Sequence, residues 1–505
     1  PPPAPAPTPS PVPPPPVPVT PPSGEVEVLR QARLVERITF GPTPQLVAEV
    51  AAMGSDAFLE WQLSIPPAGT AGVLTGAHTL DASIGQRYQA TRDANPDRTL
   101  VRELRHAAVV RAVTHPGQLA ELMVDFWTNH FSVYAGNDDK DVKYAVASDD
   151  RDVIRPHALG RFADLLLANA RSVSMLLYLD NFRSTATRPN QNYARELVEL
   201  HTMGAFNGYD EDDVDALARV FSGWSLAGRL RDGDDLRYVF DPARHFSGPI
   251  TIDITDRDGT VHTWSTEGAT GPEGEADGIA VIAWLARLPN TARFIAEKLV
   301  RRFVADEPPT ALVESAAQVY LANDTEIVPV LRHILTSAEL DATRRSKVRT
   351  PFELLVAMLR AVGASIDRTA GGPAAATLSD QVGRLGQELW SWPTPDGFPD
   401  DRHFWITTNT TLRRWELAAR VGNGRLTGVG ADIAALVPSP LPATVGEVIT
   451  GLAARLGVGI SETSVSAIAQ YLGTTHDAPT AEADLARRLG DTVGLLFCSP
   501  AFQHR

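Results

Sequence analysis

Residues 98–131 read RTLVRELRHAAVVRAVTHPGQLAELMVDFWTNHF, and this stretch decides the class of fold. Apolar residues recur three and four positions apart on both sides of His115-Pro116-Gly117, where the pattern breaks once. The spacing predicts two long helices, Arg98 to Thr114 and Gly117 to Phe131, joined as an antiparallel pair.

Helical spacing recurs through most of the chain, and one region departs from it. Between about residues 236 and 265 short apolar runs alternate with polar residues, and Asp258-Gly259 supplies a two-residue hairpin turn. The sequence therefore predicts a mainly α protein. It has one large multi-helix domain over residues 24–505, which contains a small antiparallel β insertion at about 236–265. Residues 378–505 are a candidate C-terminal subdomain.

The N-terminal residues 1–22 contain 14 prolines. Proline lacks a backbone N–H and fixes φ, so we expect residues 1–23 to form an extended polyproline II arm outside the packed domain. Two roles remain open for this arm. It is either a solvated spacer between the domain and a membrane or wall, or a ligand that docks in a groove on another molecule.

Composition excludes several classes of protein. The net charge of −15 argues against nucleic acid or an anionic membrane surface as the main partner. The single cysteine, Cys498, excludes a scaffold held by internal disulfides. No run of 18 apolar residues occurs, so no membrane span is predicted.

Two of the predicted helices carry residues with useful chemistry. At 100° per residue, His130 shares an apolar face with Phe126 and Trp127, so its ring is expected to point inward. In the helix from Asn192 to His201, the side chain of His201 also faces the core. The candidate catalytic residues are His130, Glu196, Glu199, His201 and His245.

Three of these candidates, His130, Glu196 and His201, could hold a divalent metal between adjacent helices. The spacing argues against it, because Glu196 and His201 are five positions and about 140° apart on an α-helix. The alternative is structural: buried histidines that donate to carbonyl groups, and an Arg195–Glu199 pair that bridges one turn. Asp125, Glu196 and Glu199 also leave carboxylate-based glycoside hydrolysis open.

These helices also carry a resemblance. Together with five other stretches they are similar to the bacterial domain-of-unknown-function family 1800, over about residues 28–505. The further stretches are Leu34 to Thr43, Asp213 to Trp224, Thr291 to Val304 (TARFIAEKLVRRFV), Lys347 to Leu354 and Ser499 to Gln503.

The resemblance implies an extracytoplasmic protein, secreted or attached to the cell surface. Family members are typically predicted to be exported, and many are encoded beside a second uncharacterised family with an alkaline-phosphatase-like look. The resemblance supplies no catalytic residues. One departure is informative: the family usually has a His-Asp pair where this chain has His245-Phe246.

Two hypotheses about function follow from these observations. In the first, the arm at residues 1–22 mediates assembly with a neighbouring copy or with a protein partner, for which the phosphatase-like neighbour family is one candidate. In the second, the domain is an extracellular hydrolase or a metal-dependent enzyme that uses the His/Glu cluster of the two core helices. The sequence alone does not decide whether the protein is an enzyme.

Overall fold

The computed structural model describes residue 13 and residues 24–76, 79–92, 97–136, 141–343, 346–480 and 482–505. Over these residues the chain is mainly α-helical, with small antiparallel sheets, which confirms the predicted class. Apart from residue 13, the predicted arm at 1–23 lies outside the described residues. No helix within the described ranges combines the length and the apolar character needed to cross a membrane.

Twelve α-helices precede the first strand in the described part of the chain. They are α1 Glu25–Ile38, α2 Pro44–Met53, α3 Ser55–Ser64, α4 Ile84–Thr91, α5 Arg102–Thr114, α6 Gln118–His130, α7 Val142–Asp149, α8 Arg155–His157, α9 Phe162–Ala170, α10 Val173–Tyr178, α11 Gln191–Glu196 and α12 Glu211–Val220. Three π-helical segments, Asp97–Val101, Asp150–Ile154 and Leu197–Thr202, adjoin α5, α7 and α11.

Strands follow in the described part of the chain, as two antiparallel pairs and a short third pair. They are β1 Trp224–Ala227, β2 Arg237–Phe240, β3 Ile250–Thr255, β4 Val261–Thr266, β5 Ser365–Ile366 and β6 Val429–Gly430, paired β1–β2, β3–β4 and β5–β6. Trp224 lies opposite Phe240 in the first pair, and Ile252 lies opposite Trp264 in the second. The sequence predicts β2, β3 and β4 but not the short β5 and β6, nor β1, whose first two residues are buried and lack a clear alternation.

The remaining α-helices lie after β4. They are α13 Glu275–Leu285, α14 Pro289–Phe303, α15 Thr310–Ala322, α16 Ile327–Leu335, α17 Ala338–Ala342, α18 Pro351–Ala361, α19 Pro373–Arg384, α20 Arg402–Trp405, α21 Thr408–Gly422, α22 Val445–Arg455, α23 Glu462–Tyr471, α24 Glu482–Cys498 and α25 Pro500–Gln503. One connected hydrophobic core extends from Leu34 to Phe502.

Helix α18 lies at the centre of this core, because every residue from Pro351 to Ala361 is buried. Its first turn is closed by a capping box in which Thr350 and Glu353 exchange hydrogen bonds between side chain and backbone. The Glu353 carboxylate also accepts from Arg302 and from Arg505, whose Nη2 lies 3.0 Å from Oε1. This buried ion network ties α14, α18 and residue 505 together.

A long irregular segment, residues 385–401, separates α19 from α20. Helical spacing through most of the chain, with one departure at about 236–265, does not predict this irregular segment. The segment contains Trp390, Trp392 and four prolines or glycines between Pro393 and Pro399, and such a composition does not sustain a helix. We call it the tryptophan loop.

Candidate functional site

A cavity of about 220 Å³ lies where the C-terminal half of α6 faces the tryptophan loop. Helix α14 and the start of α18 complete its wall. The position and lining of the cavity therefore depend on how the tryptophan loop is held against α6.

Asn129 of α6 fastens the loop. Its amide Nδ2 donates to the carbonyl oxygen of Phe398 at 2.8 Å, and its Oδ1 accepts from the Phe398 N–H at 2.7 Å. The neighbouring Gly397 has φ of +75°, and a Cβ atom there would lie 2.2 Å from the Asn129 carbonyl oxygen. Only glycine fits so close an approach. On the other side of the loop, Arg105 Nε donates to the Leu389 carbonyl at 2.8 Å.

Aromatic side chains form one wall of the cavity. They are Phe126, Trp390, Trp392, Phe398 and Trp405. The rings of Trp392 and Phe398 are 4.9 Å apart between centroids, and those of Phe398 and Trp405 are 6.0 Å apart. A wall of this kind suits a ligand with an apolar face, such as a sugar ring, because aromatic rings pack against C–H surfaces without requiring a polar partner.

The carboxyl groups that line the cavity are those of Glu121, Asp125, Asp150, Asp396 and Asp400, and Asp125 and Asp400 have contrasting surroundings. Asp125 makes no hydrogen bond within the described residues, and its closest cation, Arg302 Nη2, is 3.7 Å away. Burial raises the pKa of Asp125 to about 6, although Arg302 opposes the shift. Asp400, in contrast, accepts from Lys347 Nζ at 2.6 Å. Of these carboxyl groups, Asp125 thus has a raised pKa and no hydrogen bond from the described residues, whereas Asp400 is ion-paired.

Sequence stretches that are far apart in the chain meet around this cavity. The stretches that carry the family resemblance contribute Phe40, Asp125, His130, Lys298, Arg302 and Phe352 to its lining. A family model with the description "Protein of unknown function (DUF1800)" matches residues 33–504. The chain belongs to the DUF1800 family. No curated protein and no solved structure matches this DUF1800 chain.

In this DUF1800 protein the two core histidines lie side by side. His130 and His201 are 2% and 0% exposed, as their helical positions predict, and their rings are 6.2 Å apart between centroids. His130 Nε2 donates to the His201 carbonyl oxygen at 3.0 Å. Phe131 packs against both rings. His130 forms part of the cavity wall, whereas His201 is enclosed by its neighbours.

Both histidines are neutral at physiological pH. Burial and the charge of Lys298 lower the pKa of His201 to about 3, and burial also places the pKa of His130 well below its ordinary value. Neither ring nitrogen of His201 has a hydrogen-bond partner among the described residues.

The other candidate residues make contacts of their own. Glu199 lies 3.6 Å from Arg195. This is the one-turn ion pair that the sequence suggests as the alternative to a metal site. Glu196 is half-buried, and burial together with the charges of Glu199 and Asp396 raises its pKa to about 7. His245 belongs to the strand region, where its Nδ1 donates to the Ser222 carbonyl at 2.8 Å.

The geometry of the second helix differs from the α-helix assumed in the sequence analysis. Residues Leu197–Thr202 form a π-helix, and the Met203 N–H donates to the Val198 carbonyl, five positions back. Since a π-helix places residues five apart almost one above the other, the 140° separation of Glu196 and His201 is wrong. Within the described residues, no three His, Cys, Asp or Glu side chains form a group that could hold a metal ion.

Sequence reasoning missed most of the aromatic wall. Asp125 was named among the carboxylates for glycoside hydrolysis, and it lines the cavity together with Asn129. Trp390, Trp392 and Asp400 were not singled out. The available signal was compositional: residues 389–405 concentrate tryptophan, proline and aspartate in a stretch without helical or strand period.

Proposed function

We propose that the cavity is the active site of a hydrolase that cleaves a saccharide by acid–base catalysis. The observation that supports this proposal is Asp125, a carboxyl group with a raised pKa that lines an aromatic-walled cavity together with the ion-paired Asp400. Two carboxyl groups with surroundings that differ in this way are the usual arrangement for one acid and one base. The proposal keeps hydrolysis as the activity but moves the chemistry from the His/Glu cluster to Asp125.

Each carboxyl group has a role that follows from its surroundings. Asp125 in its protonated form gives its proton to the oxygen that leaves the anomeric carbon. Asp400, which is ion-paired with Lys347, takes a proton from the attacking water. The aromatic wall holds the sugar ring in place through its C–H face. His130 and His201, both neutral and packed among aromatic rings, take no proton in this scheme.

The release of reducing ends from a panel of neutral polysaccharides tests the proposal. We expect Asp125→Asn to lower kcat at least about 100-fold, the usual contribution of a general acid. The matched control is Asp258→Asn in the exposed β3–β4 turn, where Asn-Gly and Asp-Gly are equally suitable. Full activity of Asp125→Asn, or no hydrolysis of any member of the panel by the unaltered protein, would contradict the proposal.

A second function, assembly through the N-terminal arm, is supported by one contact. The indole Nε1–H of Trp61 on α3 donates to the carbonyl oxygen of Pro13 at 3.2 Å, and Pro13 is half-buried. Aromatic grooves bind polyproline segments in this way, because a proline carbonyl remains free to accept and the segment loses little entropy. We therefore propose that the arm docks at Trp61, either within its own chain or on a neighbouring copy. Alternatively, an arm that is not docked at Trp61 binds a protein of the phosphatase-like neighbour family.

Light scattering separates these possibilities. We expect deletion of residues 1–22 to lower the measured mass, and Trp61→Phe, which keeps the ring but removes the donor, to weaken assembly. Phe58→Leu on the same helix serves as a packing control. Assembly and partner binding that are unchanged by the deletion would exclude this function. Export to an extracytoplasmic location belongs to the same proposal, and fractionation of the producing cells tests it.

A further inference from the structure

Lysine is rare in this chain, and two of its lysines, Lys298 and Lys347, have different surroundings. Only Lys140, Lys143, Lys298 and Lys347 occur among 46 basic residues. Arginine stays charged under all physiological conditions, whereas a lysine can lose its proton and become a nucleophile. A lysine inside a cavity, in a chain that otherwise uses arginine, therefore has a chemical capacity that its arginines lack.

Lys347, which is buried, and Lys298, which is half-buried, differ in their partners. Lys347 is fully buried and donates to Asp306 at 2.5 Å and to Asp400 at 2.6 Å, so its charge is compensated twice. Lys298 lines the cavity from α14, and no carboxylate or hydrogen-bond acceptor lies within bonding distance of its Nζ among the described residues. Its Nζ lies over the ring of Phe294, 5.4 Å from the centroid, in a cation–π contact that favours the charged amine.

Charged groups act on the Lys298 amine in opposite directions. Arg301, which follows one turn later on α14, disfavours the charged form. Asp396 and Asp400 act in the opposite direction, but neither is within 4 Å of Nζ in the described chain. Burial, aided by Arg301, lowers the pKa of Lys298 to about 8. At pH 7 about one amine in ten is then neutral, against about one in 3,000 for an ordinary lysine.

We propose that Lys298 is a nucleophilic amine that forms a reversible imine with an aldehyde or ketone bound in the cavity. The neutral amine adds to the carbonyl carbon to form a C–N bond and a carbinolamine. The carbinolamine oxygen takes a proton, for which Asp125 in the same cavity is a donor, and leaves as water. The product is a protonated imine, which becomes the neutral imine when its N–H proton returns to the Asp125 carboxylate; nothing is oxidised or reduced. The aromatic wall favours carbonyl compounds that carry a ring. This inference rests on the cavity and not on the proposed hydrolysis.

Reductive trapping of the full-length native protein tests the inference. Benzaldehyde at limiting concentration, with sodium cyanoborohydride at pH 7, converts any imine to a stable benzylamine, and peptide mass spectrometry after cleavage at arginine locates it. We expect Lys298 to be labelled at least ten-fold faster than Lys143 and Lys347. Labelling in urea supplies the reference, because the four lysines should then react at similar rates.

Variants sharpen this test. Lys298→Arg keeps the charge and should abolish labelling at this position while the other lysines react unchanged. Asp125→Asn should slow trapping at Lys298, since the water leaves less readily. A native protein in which Lys298 reacts no faster than Lys143 would overturn the inference. That result would leave the hydrolase proposal standing, because Asp125 and Asp400 are tested by polysaccharide cleavage and not by trapping.

Discussion

Replacing Asp125 by asparagine should stabilise the protein at neutral pH while it removes the proposed acid. The pKa of Asp125 is about 6 in the folded chain, against an ordinary value of 3.8. A carboxyl group with a raised pKa holds its proton more tightly in the folded state. The free energy of unfolding therefore falls as pH rises from about 4 to about 6, because the buried group must ionise. Asparagine has no proton to lose and should escape this penalty.

The size of the effect follows from the shift in pKa. A difference of about two units corresponds to about 3 kcal/mol at 1.36 kcal/mol per unit. This value is an upper bound, because 20% of the Asp125 side chain is open to the cavity. With an unfolding entropy of roughly 2.1 cal/mol/K per residue, a folded chain of about 480 residues should gain at most about 3 °C in thermal midpoint.

Differential scanning fluorimetry at pH 4 and pH 8 measures this effect. We expect the midpoint of Asp125→Asn to match that of the unaltered protein at pH 4 and to exceed it at pH 8. Asp258→Asn, in the exposed hairpin turn, should follow the unaltered protein at both values. If the midpoints of Asp125→Asn and of the unaltered protein differ by the same amount at pH 4 and pH 8, Asp125 ionises as in water. That result would contradict its role as the acid.

Two further substitutions test the scaffold of the cavity. Glu353→Gln should lower the free energy of unfolding by about 3 to 5 kcal/mol in urea titrations, because Arg302 and Arg505 lose their buried counter-charge. Burial alone would raise the pKa of Glu353, but these two guanidinium groups lower it to about 2. The unaltered protein should therefore lose this stabilisation as pH falls from about 4.5 toward 2. If Glu353→Gln were as stable as the unaltered protein, the buried ion network would not be stabilising the fold. Gly397→Ala should weaken the near-ultraviolet circular dichroism of the tryptophan loop, because the added Cβ has no room. Gly386→Ala is the control: Gly386 has φ of +94° and no atom within 4 Å of an added Cβ. This control should lose only about 1 kcal/mol of stability, from backbone strain. Identical spectra and stabilities for the two glycine variants would show that steric exclusion does not hold the loop.

The sequence predicts the helices well because the cause of each helix is local. The apolar spacing around His130 places its ring in the core whatever the distant residues do, and the observed burial agrees. The antiparallel pair α5–α6 follows in the same way from the His115-Pro116-Gly117 break.

The cavity is different because its walls come from residues that are distant in sequence. Asn129 and Phe398 are 269 positions apart, and nothing in either segment alone indicates that they bond. The π-helical turn at Leu197–Thr202 is equally hidden, because one additional residue in a turn does not interrupt the apolar pattern. Contacts of this kind are set by packing of the whole chain and not by local periodicity.

The tryptophans of the aromatic wall provide an intrinsic fluorescence signal for ligand binding. Trp390, Trp392 and Trp405, three of the nine tryptophans in the chain, line the cavity. A ligand that displaces water from these indoles changes their emission, so candidate compounds can be ranked by fluorescence titration before any reaction is known. Compounds found in this way would supply the first substrates to assay.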